Sequence, residues 1–105
     1  GAGRYPVGFS GDALGTWDTL SLQTWFTAMA GNVLFGYWSH DIGGIFPTDR
    51  SPELFTRWIQ FGAFSPVLRT HVAKYPAGER RIWEYPDKCF HAMRRAILRR
   101  YEMVP

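Results

Sequence analysis

The sequence predicts an α/β fold with a parallel sheet, and three observations carry that prediction. Strand-like and helix-like runs alternate along the 105 residues, the pattern that parallel strands joined by helical crossovers produce. Each strand-like run ends in polar residues, as strands do when their carboxyl ends open onto a shared mouth. The 46% hydrophobic and 17% aromatic content suits a packed core rather than a disordered chain. These features fit a doubly wound sheet or part of an eight-stranded barrel equally well.

The elements follow in order. "RYPVGF" (4–9) is short, apolar and followed by glycine-containing turn residues, which reads as a first strand. Thr16 supplies an N-cap for a helix through "WDTLSLQTWFTAMAG". Asp18 lies in its first turn, Leu22, Trp25, Phe26 and Met29 form one apolar stripe, and Gly31 marks the stop. "NVLFGYW" (32–38) is nearly continuous in apolar residues, the mark of a strand buried on both faces. Ser51 and Pro52 form a cap with proline at the first helical position, and Leu54, Phe55, Trp58, Ile59 and Phe61 keep helical spacing up to Gly62. "FSPVLRTH" (64–71) reads as a third strand. A last helix begins near Asp87, with Phe90, Met93, Ile97, Leu98 and Tyr101 on its apolar side.

Composition excludes several classes of function. The net charge of +3 comes mainly from Arg80, Arg81, Arg94, Arg95, Arg99 and Arg100, all in the last quarter of the chain. On a helix the pairs Arg94/Arg95 and Arg99/Arg100 fall on a solvated flank, and no glycine-rich phosphate loop accompanies them, so no nucleic-acid partner is expected. The single cysteine, Cys89, allows neither an internal disulfide nor a cysteine-based metal site, and reads as a small residue on the apolar side of a helix. No apolar run approaches the length of a membrane span.

Ionisable side chains collect at the strand ends. Asp12 follows the first strand, Ser39, His40 and Asp41 follow the second, and Arg69 and His71 close the third. Core packing does not require charge at those positions, and burying it costs several kcal/mol unless it is paired. The cluster therefore predicts a polar pocket, rimmed by Phe9, Trp38, Phe46 and Trp83. Aromatic walls with carboxylate, Arg and His groups suit a sugar, whose C–H faces pack on rings and whose hydroxyls take hydrogen bonds. Binding alone would use these groups, whereas glycosidic cleavage needs two carboxyl groups. Zinc is the competing chemistry, since His40, Asp41 and His71 are possible ligands, but no paired-ligand motif fixes a geometry and no metal is expected.

"GFSGD...TW..L", "WSHDIGG", "ELFTRWIQFGAFSPVLRTH" and "LRRYEMVP" together resemble the catalytic domain of glycoside hydrolase family 31, the retaining α-glucosidases and α-xylosidases, in order and spacing along essentially the whole chain. The resemblance implies a partial (β/α)8 TIM barrel of about three β/α units, the sixth to eighth, with residues 1–105 a fragment of the catalytic domain. Asp12 resembles the family's general acid/base, held by a glycine loop in a partly desolvated mouth. Asp41 and His71 resemble its sugar-hydroxyl ligands, Arg69 the charge partner that orients Asp41, and Trp38 a pocket wall. Phe9 stands where many relatives have tryptophan, Ile45 where many have phenylalanine, and Ile82 where similar members have proline.

The same resemblance places the nucleophile, an aspartate, and a substrate-binding arginine before Gly1, so the chain is expected to be part of a longer reading frame and inactive alone. It implies hydrolysis of terminal α-glucosides of oligosaccharides by double displacement, with no cofactor, because two carboxylates and water suffice. The alternatives are a catalytically inactive carbohydrate-binding or scaffold relative, an α-xylosidase, and a transglycosylase or lyase of the same family.

Overall fold

The computed structural model describes residues 4, 6–46, 51–74 and 79–105. Its elements are β1 (Val7–Phe9), α1 (Trp17–Asn32), β2 (Tyr37–Ser39), α2 (Pro52–Ala63), a short 3₁₀ turn (Ile82–Glu84) and α3 (Asp87–Glu102). β1 and β2 pair in parallel, with Val7 opposite Tyr37, Gly8 opposite Trp38 and Phe9 opposite Ser39. A third segment adds to the free edge of β2 through parallel bridges Ser39–Val67 and Ile42–Thr70. The order along the sheet is therefore β1, β2, third segment, as crossover connections require.

Two helix starts are as the sequence predicts. Thr16 Oγ1 accepts from Thr19 N at 3.2 Å to open α1, and Ser51 Oγ accepts from Leu54 N at 3.4 Å to open α2, with Pro52 at its first position. Leu54, Phe55, Trp58 and Ile59 of α2 are buried and join Ile42, Leu20 and Met93 in one core. Gly62 lets α2 approach the sheet, since a Cβ there would stand 3.0 Å from Ile42 Cδ1. Cys89 packs partly buried against this core.

Other expectations are corrected. The stripe Leu22, Trp25, Phe26 and Met29 is exposed, and α1 instead buries Leu20, Gln23 and Ala30. Gly31 does not end α1. The helix continues to Asn32 and closes when Phe35 N donates to Ala30 O at 2.9 Å and Leu34 N to Gly31 O at 3.1 Å, with Leu34 left-handed at φ 68°. That closure consumes most of the run read as a second strand, leaving Tyr37 and Trp38, which with Ser39 form β2, and Tyr37 is 64% exposed rather than buried on both faces.

The third strand is likewise shorter than 64–71. Phe64 N and Ser65 N bond back to Phe61 O and Gly62 O to finish α2, and Pro66 has no N–H to give, so only the two bridges form. On α3, Met93 is buried and Ile97 partly so, whereas Leu98 and Tyr101 are exposed. Arg94, Arg95 and Arg99 lie on a solvated flank, but Arg100 does not. It reaches the end of α2, where its Nη1 donates to Ser65 O at 2.5 Å and Ala63 O at 3.2 Å and its Nη2 to Pro66 O at 3.0 Å. No helix among the described residues is long and apolar enough to cross a membrane.

Candidate active site

Side chains alternate across β2 and past its end, so Trp38 and His40 share one face and Tyr37, Ser39 and Asp41 the other. The first face meets the helices. Trp38 packs edge-on against Phe26 and Phe35 at centroid distances of 5.3 and 6.0 Å, and its ring fills the space a Cβ on Gly8 would need. His40 lies beside Phe61 at 5.1 Å. Trp38 is thus drawn into the layer between sheet and helices, not into the group around Asp41.

His40 is fully buried. Thr27 Oγ1 donates its only proton to Gln23 O at 2.8 Å and lies 2.6 Å from His40 Nε2, so Nε2 carries a proton and donates to Thr27. Nδ1 is then an acceptor, buried with no hydrogen-bond partner among the described residues. Burial pushes the imidazole pKa down from 6.5 to about 4. This histidine is a neutral packing group at physiological pH.

On the other face the strand ends converge. Asp41 is buried, and its Oδ1 accepts from Arg69 Nη2. Arg69 itself is about half exposed, with its guanidinium 5.3 Å from the centroid of Phe9. The second carboxylate oxygen, Oδ2, is buried and unpartnered among the described residues, as is Ser10 Oγ at the end of the neighbouring strand. Such groups are costly unless a ligand or water completes them. Asp41, Arg69 and Phe9 therefore form one group, in which Asp41 Oδ2 is buried without a hydrogen-bond partner among the described residues.

Asp12 stands at the end of β1 in the loop opened by Gly11, whose φ of +88° favours glycine. Its side chain is exposed, so the described residues do not supply the desolvated mouth expected around it. His71 is half-buried, and Phe46 and Trp83 are exposed among the described residues. No three His, Cys, Asp or Glu side chains among the described residues gather where they could hold a metal ion.

Beyond the strands the loops continue the sheet. Ile45 N donates to Ala13 O at 2.9 Å, Gly15 N to Phe46 O at 3.0 Å, and Ala73 N to Ile45 O at 2.8 Å. Gly44, at φ +77°, lies so close to the first loop that a Cβ there would stand 2.5 Å from Gly15 N. Arg80 enters this junction and donates through Nη1 to Gly44 O and, at 2.7 Å, to His71 O. Nothing in the sequence signals that role, because the pair Arg80/Arg81 carries no local mark of which guanidinium turns inward.

Residues 1–105 match the model of the glycosyl hydrolases family 31 TIM-barrel domain. The chain is 32% identical over its full length to human neutral alpha-glucosidase AB, of which it covers 11%. It is 33% identical over 105 aligned positions to an alpha-xylosidase of Saccharolobus solfataricus, with 94% of this chain and 14% of that protein covered. The crystal structure of a glucosidase II alpha subunit superposes with a TM-score of 0.80 at 26% identity, over 90% of this chain and 10% of that one. The chain thus spans about a tenth of the length of these relatives.

Proposed function

The chain belongs to glycosyl hydrolase family 31 as a piece of its TIM-barrel domain, and we propose that it is the sixth to eighth β/α units of a retaining α-glucosidase, bearing the acid/base side of the site. The observation that carries this reading is Asp41: one oxygen is fixed by Arg69 and the other is buried and free to accept a sugar hydroxyl. His71 is the second hydroxyl ligand, Phe9 a wall of the same subsite, and Trp38 the support behind it. Asp12 stands at the adjacent strand end, where it protonates the glycosidic oxygen as an aspartate elsewhere in the full-length protein attacks the anomeric carbon. In the second step Asp12 takes a proton from water, which displaces that aspartate with net retention. The exposure of Asp12 is relieved in this reading by barrel units outside the chain.

The test is Asp12→Ala in the full-length protein. Hydrolysis of α-linked glucose oligosaccharides should fall by about 10²–10⁴-fold, while substrates with very good leaving groups keep much of their turnover and the first-formed product is the α-anomer. Unchanged hydrolysis of ordinary oligosaccharides would refute the assignment. A second reading, an α-xylosidase, draws support from relatives: the identity to the Saccharolobus alpha-xylosidase matches that to the human alpha-glucosidase. Parallel assay on α-xylosides and α-glucosides separates the two.

A further inference from the structure

We propose that Arg80 is a positioning residue, a clasp that sets the three strand-end loops relative to one another; its consequence for catalysis rests on the function proposed above. The guanidinium serves two loops through one nitrogen, since Nη1 donates to Gly44 O in the second and to His71 O in the third. It also lies beside the first, because a Cβ added to Gly15 would stand 3.3 Å from Arg80 Nη2. Gly43 lies closer still: a Cβ there would meet Arg80 Cδ at 2.9 Å, at a φ of +96°. Behind it, the guanidinium carbon lies 5.9 Å from the Phe55 ring centroid, and Phe55 stacks on Tyr85 at 4.9 Å. The cation is therefore lodged between an aromatic shelf, formed by Phe55 of α2 and Tyr85 ahead of α3, and carbonyls of the loops.

The carbonyls it holds are not arbitrary. Gly44 N donates to Asp41 O at 2.8 Å, so the turn anchored by Arg80 begins at the carboxylate with the free oxygen. His71 O belongs to the second proposed hydroxyl ligand itself. From there the bonds Ala73 N to Ile45 O and Ile45 N to Ala13 O carry the constraint laterally to the loop of Asp12. One guanidinium thus fixes the spacing of three side chains that no direct hydrogen bond among the described residues links. A lysine offers one nitrogen to the two carbonyls but lacks the planar guanidinium that lies over the Phe55 ring and the second nitrogen beside Gly15.

The experiment uses the full-length protein with Arg80→Met, Arg80→Lys and, as a control, Arg57→Met, which alters an exposed arginine paired with Glu53 away from the loops. Amide hydrogen exchange is read first, because it does not depend on activity. Arg80→Met should speed exchange at Gly15, Ile45 and Ala73 together by 10-fold or more while α3 amides keep their protection, with Arg80→Lys intermediate and Arg57→Met unchanged. Exchange at those amides that is unchanged, or that rises equally throughout α3, overturns the clasp. If Arg80→Met does not fold, Arg80→Lys decides, and wild-type exchange in it overturns the proposal. In kinetics, displaced ligands should lower kcat/KM on an α-glucoside by about 10²-fold with a changed KM, which a simple loss of folded protein would not produce. Should the wild type hydrolyse nothing while the exchange pattern appears, the clasp stands and the proposed function fails.

Discussion

His40 makes stability depend on acid. Above about pH 6.5 the imidazole is neutral whether the chain is folded or not. Below that value the unfolded chain takes up a proton that the buried ring, with its pKa near 4, refuses. The unfolded state then binds more protons, so stability falls as the pH drops from about 6.5 towards 4, by on the order of 3 kcal/mol in total. Urea midpoints of the full-length protein between pH 7.5 and 4.5 should show this slope, and His40→Gln, which keeps a donor for Thr27 but does not titrate, should flatten it. Equal slopes for the two proteins would mean that another group controls the acid limb. Next to it, the buried Asp41 is paired with Arg69. Adjacent residues on opposite faces of one strand end thus face the helices and the ion pair respectively.

At the scale of elements, left-handed positions separate what glycine permits from what the fold imposes. Leu34 closes α1 at φ 68° and is 94% exposed, so it takes a conformation unfavourable to a branched side chain with no burial in return. Leu34→Gly should raise stability by about 1 kcal/mol. Gly44→Ala should do the reverse, costing about 3 kcal/mol, because its Cβ would meet the backbone of Leu14 and Gly15 within 2.5–2.8 Å. Chemical denaturation of the two variants checks both signs, and a destabilised Leu34→Gly would show that Leu34 has a packing partner outside the described residues.

The same elements explain how far the sequence could be read. α2 was legible because Ser51, Pro52 and a buried stripe are local signals that agree. The end of α1 was not, since a leucine in the left-handed region leaves no mark in an apolar run that also suits a strand. Arg100 was misread for a related reason: a cation that reaches carbonyls of a distant segment is indistinguishable in sequence from one that faces water. The positions of Asp12, Asp41 and Arg69 at strand ends could be inferred from alternation, but the free oxygen of Asp41 required the fold.

For the whole molecule, the exposed apolar surfaces are the main fact. Val7 and Tyr37 on the sheet face opposite the helices are 60% and 64% exposed, and Leu22, Trp25 and Met29 of α1 are open as well. A short parallel sheet with a face uncovered by the described residues is unusual, because parallel sheets are ordinarily buried on both sides. In the proposed barrel the open face of β1 and β2 looks inward and the neighbouring units cover it. The 105 residues expressed alone should therefore bind a hydrophobic dye such as ANS and unfold at low urea over a broad transition, as a chain with an incomplete core does. The full-length protein should bind little dye and unfold cooperatively. A monomeric 105-residue chain that binds no dye and unfolds sharply would show these faces to be native surface, and the reading of the chain as a barrel segment completed by other units would fail.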